Sequence, residues 1–95
     1  MKFVVIGVYD KVLDAFMPAQ CIQPMLDEDI IETHRRSVIA GQIEPKRAMS
    51  YDLVKYGEFD DHTGLFSLLD KPLKLCSLAD FLPKKQEAIT DVKSN

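Results

Sequence analysis

Tyr51-Asp52-Leu53-Val54-Lys55-Tyr56-Gly57-Glu58-Phe59-Asp60-Asp61-His62-Thr63-Gly64-Leu65-Phe66-Ser67-Leu68-Leu69 decides the fold class. Two runs rich in aromatic and aliphatic side chains flank turn-forming residues at 60–64, the pattern of a β-hairpin. Gly64 closes the loop where a type I turn followed by a G1 bulge needs positive φ, which glycine adopts without a Cβ clash. Asp60 and Asp61 can accept hydrogen bonds from the loop's own amides. Acids beside His62 also invite a metal reading. A calcium loop, however, needs oxygen ligands at its first, third and fifth positions, then Gly and a distal Glu, and this stretch departs at the fifth and sixth.

Working upstream, Phe3-Val4-Val5-Ile6-Gly7-Val8-Tyr9 is apolar on both alternating faces and reads as a central strand covered on both sides. Ala15 to Ile22 contains Pro18, which cannot donate a ladder hydrogen bond, so it reads as one edge or bulged strand paired with the first. Pro24 closes it, and Asp27 reads as the N-cap of a helix beginning at Glu28, with Glu28 and Asp29 at its positive end. Ile30, Ile31, His34, Val38 and Ile39 form one apolar stripe at the helical period, in which His34 reads as a core histidine bonded to backbone. Glu32 precedes Arg35 and Arg36 by one turn, and such pairs contribute ~0.2–0.5 kcal/mol each. Gly41 can end the helix in a left-handed conformation. Gln42 to Ser50 is a polar connection carrying Lys46 and Arg47.

Downstream, Pro72 reads as the end of the fourth strand. Ser77 and Asp80 resemble a capping pair for a short helix over Leu78, Phe81 and Leu82, stopped by Pro83. The spacing therefore predicts an α+β domain over residues 1–83 with a four-stranded, mainly antiparallel sheet in the order β-β-α-β-β-α. The long helix packs on one face and a short C-terminal helix follows. Residues 84–95 are polar and of mixed charge, and read as a flexible tail with too little apolar surface to offset the entropy of ordering it.

Composition narrows the function classes. The chain has 95 residues, 12 Lys plus Arg against 15 Asp plus Glu, a net charge of −3, and 46% hydrophobic residues, the profile of one small soluble domain. A core of this size buries only about two-thirds of the unfolded surface, so a homodimer that hides an edge strand or an open apolar face is expected. The excess of acid disfavours coating DNA by charge alone, which needs surplus cations to displace counterions. Two cysteines, Cys21 and Cys76, are too few for a disulfide framework and read as buried free thiols in a reducing cytosol. The apolar opening breaks off at Tyr9-Asp10-Lys11 without a small-residue cleavage site, so no signal peptide is expected. No run approaches the ~18 apolar residues of a membrane span.

Four glycines, at 7, 41, 57 and 64, are scattered and make no phosphate-cradling loop, and neither cysteine sits in a nucleophile elbow. The chain reads as non-enzymatic, without cofactor or metal. Sites for single-stranded nucleic acid, by contrast, use a few stacking aromatics and a modest number of cations. Tyr51, Lys55 and Phe59 share one strand parity, and Val54 and Tyr56 the other. The candidate surface takes phosphate contacts from Arg35, Arg36, Lys46, Arg47 and Lys55 and base stacking from Tyr51 and Tyr56. The same pattern has a plainer reading, in which the rings pack in the core and the cations are solvated.

The stretch Tyr56-Gly57-Glu58-Phe59-Asp60-Asp61-His62-Thr63-Gly64, followed by Leu69, Pro72 and an apolar helix through Leu75, Leu78 and Phe81, resembles the small nonstructural protein of gokushovirus-type Microviridae, single-stranded DNA bacteriophages. The opening strand running into Tyr9-Asp10, and Ala15-Phe16-Met17-Pro18, are similar too, so the resemblance spans roughly residues 3–82. Gln42 to Ser50 departs from the Asn-Asp and His-Pro-Glu-Asp-like linker of that family. The resemblance implies a non-enzymatic, non-virion protein of the infected bacterium's cytoplasm, associated with binding single-stranded DNA during genome replication or handling. An alternative is a protein-interaction module that engages a viral replication initiator or a host replication protein without touching DNA.

Overall fold

The computed structural model describes residues 1–83. The expected tail at 84–95 lies outside them. The domain is α+β with an antiparallel five-stranded sheet: β1 (Lys2–Asp10), β2 (Ala15–Phe16), β3 (Gln20–Ile22), β4 (Tyr51–Asp60) and β5 (Leu65–Ser77). Two helices, α1 (Asp27–Ile39) and α2 (Pro45–Ala48), lie between β3 and β4, and a 3-10 turn (Leu78–Phe81) follows β5. The sheet order is β2-β1-β4-β5, with β3 pairing β1 beyond β2 on the same edge.

The elements depart from the expected β-β-α-β-β-α order in three places. The second strand is two strands, because Pro18 removes a donor and the chain leaves the ladder at residues 17–19 before rejoining it. Residues 45–48 of the polar connection form a short helix started by Pro45 at its first position. Pro72 does not end the last strand. It falls where residues 69–72 of β5 oppose Tyr56 alone, in a bulge on an edge strand where no ladder donor is required. Leu75, expected on a helix, is therefore the penultimate apolar residue of β5, and the C-terminal helix is one 3-10 turn.

One face of the sheet carries the core. Val4 and Ile6 of β1 and Leu53 of β4 meet Ile30 and Val38 of α1, Ala48 of α2 and Leu78 of the 3-10 turn. Of the expected helical stripe, Ile30 and Val38 are buried, Ile31 and His34 are half-buried, and Ile39 is exposed. His34 donates from Nδ1 to the Ile30 carbonyl at 2.8 Å. Asp27 is not the N-cap: α1 begins at Asp27 itself after Leu26, with no side-chain cap, and the Asp27 carboxylate instead accepts the Lys55 ammonium at 3.0 Å. The hairpin loop follows its local chemistry. Asp60 accepts the His62 amide at 2.9 Å, Thr63 Oγ1 accepts the Leu65 amide at 3.3 Å, and Gly64 takes φ +74°. Cys21 is exposed because β3 is an edge strand, against the expectation of burial, while Cys76 is half-buried and its thiol is pushed up by desolvation.

Candidate nucleic-acid interface

Strand parity and one bulge sort the aromatic residues. Along β1, residues 4, 6 and 8 face the helices, and Phe3, Val5, Gly7 and Tyr9 face the other way. On β4, Tyr51, Leu53 and Lys55 face the helices. Between Lys55 and Gly57 one extra residue enters β4, so that Val5 opposes Gly57 and Ile6 opposes Lys55. A one-residue slip moves every following side chain to the opposite face. Phe59, which shares Tyr51's parity in the sequence, thus joins Tyr56 on the face away from the helices, opposite Phe3.

That second face holds six of the eight aromatic residues. Phe3, Phe59 and Phe66 form a row across β1, β4 and β5, with centroids 6.5 Å and 4.7 Å apart. Toward the other end of the sheet, Phe16 lies 4.8 Å from Tyr9 and 6.2 Å from Tyr56, the latter edge-on. The rings cover small residues between them. Tyr56 lies over Gly7, where a Cβ would come within 2.7 Å of its ring, and Val54 is 4% exposed. Phe16 and Phe66 are more than half exposed. Burial raises the Tyr56 hydroxyl, and Tyr9 is raised chiefly by donating to the Asp14 carboxylate, so both phenols stay protonated at neutral pH.

The residues singled out from the sequence do not form one surface. Lys55 lies under α1, paired with Asp27, and Tyr51 packs against the core. Arg35 makes a two-pronged contact with Glu32, at 2.7 Å for each nitrogen, and Arg36 adds a third at 3.0 Å. Both arginines sit about two turns along the helix from Asp27 and Lys55. Arg47 pairs with Glu44 at 3.1 Å. Lys46 has no carboxylate within 4.0 Å among the described residues. Lys46 and Arg47 of α2 line a groove of about 410 Å³ with Asp10, Ser50 and Tyr51. The Lys11 amide donates to the Ser50 carbonyl at 2.8 Å, which ties this groove to the end of the sheet that carries Tyr9 and Phe16. Tyr56 is the one member of the list on the aromatic face.

Sequence reasoning missed Phe3, Tyr9, Phe16, Phe59 and Phe66 as a set. The alternation Phe3-Val5-Gly7-Tyr9 on β1 was a usable signal for two of the five. Phe59 and Phe66, on the far side of Gly57, needed the bulge, and Phe16 needed the pairing of β2 with Tyr9. Near the same face Asp52 is 8% exposed and accepts the Ser77 hydroxyl at 2.8 Å, with the Lys11 ammonium at 3.5 Å and the Lys74 ammonium at 3.8 Å. Among the described residues no three His, Cys, Asp or Glu side chains converge as a metal site, and no helix is long and apolar enough to cross a membrane. Comparison of the chain with family models, with curated proteins and with solved structures gives no match.

Proposed function

We propose that this protein is a non-enzymatic accessory that binds single-stranded DNA, and that the aromatic face of the sheet, rather than the helix side, receives the bases. The carrying observation is the concentration of six rings on the face without helices, two of them more than half exposed. A sheet face that presents spaced aromatic side chains is a platform on which unpaired bases stack regardless of sequence. Lys46, at the Tyr9–Phe16 end, supplies a phosphate contact, and Arg47 beside it adds a second only by exchanging its exposed Glu44 partner for phosphate, a number small enough to suit a net charge of −3. The resemblance to the gokushovirus nonstructural protein supports the same reading and extends it to genome replication or handling in the cytoplasm of an infected bacterium. Self-association as a homodimer belongs to this proposal.

Fluorescence anisotropy with labelled single-stranded DNA at low and moderate salt tests it. The affinity should fall with salt, and Phe66→Ala and Phe16→Ala should each weaken binding by about 5- to 100-fold, the range for losing one stacked base. Lys46→Gln should reduce the salt slope by about 0.7. Arg35→Gln should change neither, since its guanidinium is held by Glu32. Absence of binding at low salt, or binding indifferent to both phenylalanines, would sink the proposal.

A protein-interaction module is the second reading, engaging a replication initiator or host replication protein. It is favoured by the pairing of Arg35, Arg36, Arg47 and Lys55 with carboxylates and by the exposed leucines of β5. Pull-down after nuclease treatment separates the two, because a partner held by protein contacts survives loss of DNA.

A further inference from the structure

Where Phe16, Tyr9, Asp52 and Ser77 lie side by side across β2, β1, β4 and β5, the aromatic face is indented by a cavity of about 180 Å³. Its lining is Tyr9, Phe16, Asp52, Val54, Pro72 and Lys74. Val54 is the floor, and Gly7 opposite it on β1 adds no side chain to that row. The Tyr9 and Phe16 rings lie toward one edge of the sheet, and Pro72, held in the β5 bulge, lies toward the other. Such walls suit a planar, apolar-faced ring. The polar groups are of mixed sign. The Asp52 side chain is 12% exposed, and its Oδ1 receives the Ser77 hydroxyl and faces the Lys11 ammonium, whereas Oδ2 faces the Lys74 ammonium at 3.8 Å, beyond hydrogen-bond length. Oδ2 thus keeps acceptor capacity, and Lys74, whose side chain is 58% exposed, keeps donors.

We infer that this cavity is a subsite for one nucleobase, and that its chemistry selects guanine. The subsite rests on the reading of the sheet as a surface for single-stranded DNA, and adds base selectivity to it. Guanine presents two N–H donors, on N1 and N2, next to the O6 acceptor along one edge. A carboxylate oxygen takes the donors and an ammonium gives to O6, and both contacts are charge-assisted. Thymine meets Oδ2 and Lys74 with N3–H and O4, but it lacks the second donor and sets its O2 carbonyl toward the carboxylate where guanine has N2–H. The Ser77 hydroxyl and Lys11 fix the orientation of the Asp52 carboxylate through Oδ1 without filling Oδ2.

The test uses the full chain and an oligothymidylate of about 12 nucleotides, compared with the same oligonucleotide carrying one central guanine, adenine or cytosine, and with free guanosine monophosphate as competitor. The guanine-containing strand should bind about tenfold tighter than oligothymidylate, within the range for one good two-point base contact. Guanosine monophosphate should compete better than thymidine monophosphate. Asp52→Asn and Lys74→Gln should each bring the guanine-to-thymine ratio close to one. Lys74 is exposed enough for its variant to fold even if Asp52→Asn does not. Equal affinity for all four strands, or a guanine preference that survives Lys74→Gln, overturns the subsite and leaves the DNA-binding reading standing. Binding of guanosine monophosphate without binding of any strand overturns the DNA-binding reading and leaves the pocket. Binding of neither overturns both.

Discussion

Gly57 is the residue on which the aromatic face depends. It sits at the β4 bulge with φ +150°, and a Cβ there would come within 2.2 Å of the Ser67 carbonyl oxygen and 2.8 Å of Leu68 Cα. Both obstacles are backbone, so neither can swing aside. Gly57→Ala is expected to destabilise the domain by about 2–4 kcal/mol, combining backbone strain with overpacking. Gly64→Ala meets no atom within 4 Å and carries only the left-handed cost of about 1–2 kcal/mol. Urea unfolding of the two variants should therefore rank Gly57 well above Gly64, and equal midpoints would contradict the bulge as the fold's tight point. Gly64 was readable from sequence because a turn demands it locally. Gly57 was not, because the contact that requires glycine comes from β5, ten residues on in the chain. A second residue-scale expectation concerns Glu32, whose carboxyl is held down to about 2 from an ordinary 4.5, first by the Arg35 hydrogen bonds and then by Arg36. Because the folded value is depressed, its contribution to the helix is complete above 4.5 and is lost as pH falls toward 2. The NMR titration of the Glu32 carboxyl should show that low midpoint, and Arg35→Gln should move it upward toward the ordinary value.

Elements follow the sequence where their determinants are local and depart from it where a neighbour intervenes. The hairpin, the first strand and the span of α1 were all legible, because alternation, turn residues and the apolar stripe lie within single segments. The docked face of α1 was legible only in part. Five stripe residues are too wide a set for one contact line, and the sheet covers Ile30 and Val38 while leaving Ile39 58% exposed. Ile30→Ala should then cost about 2–5 kcal/mol and Ile39→Ala less than about 0.5 kcal/mol, as thermal or urea unfolding would register. Similar losses at the two positions would mean that α1 is rotated relative to the sheet. Asp27 fits every local rule for an N-cap, yet Lys55 of β4 arrives beneath the first turn and takes its carboxylate. The candidate site went astray for the same reason. Tyr51 and Lys55 have the right types and spacing for a binding strand, but α1 and α2 cover their face, and the face left open is the one whose aromatics lie scattered over β1, β2, β4 and β5.

At the scale of the whole molecule, the small core leaves apolar surface without a cover, and its location matters more than its amount. β5 is an edge strand of 13 residues whose Leu65, Phe66, Leu68, Leu69 and Leu73 are all 46–67% exposed. A long apolar edge is a template for pairing with another chain unless something blunts it. Here the blunting is uneven. Lys71, Pro72 and the bulge at 69–72 disrupt the middle of the strand, whereas 65–68 pairs regularly with β4 and among the described residues no strand pairs with its outer edge. Association of two copies should therefore be centred on residues 65–68, and the average mass in sedimentation equilibrium should rise with protein concentration. Leu68→Lys, at a position 62% exposed, should abolish that rise without lowering the unfolding free energy by more than about 0.5 kcal/mol. Leu73→Lys, beyond the bulge, should affect it less. A monomer at every concentration would show that the bulge and proline protect the whole edge. Association that survives Leu68→Lys would place the contact elsewhere, and the aromatic face would be the next surface to examine. Phe66 belongs to both surfaces, the aromatic row and the β5 edge. If pairing is centred there, dimerisation and base stacking are coupled through one ring, and Phe66→Ala should weaken DNA binding and association together, whereas Phe16→Ala should weaken DNA binding alone.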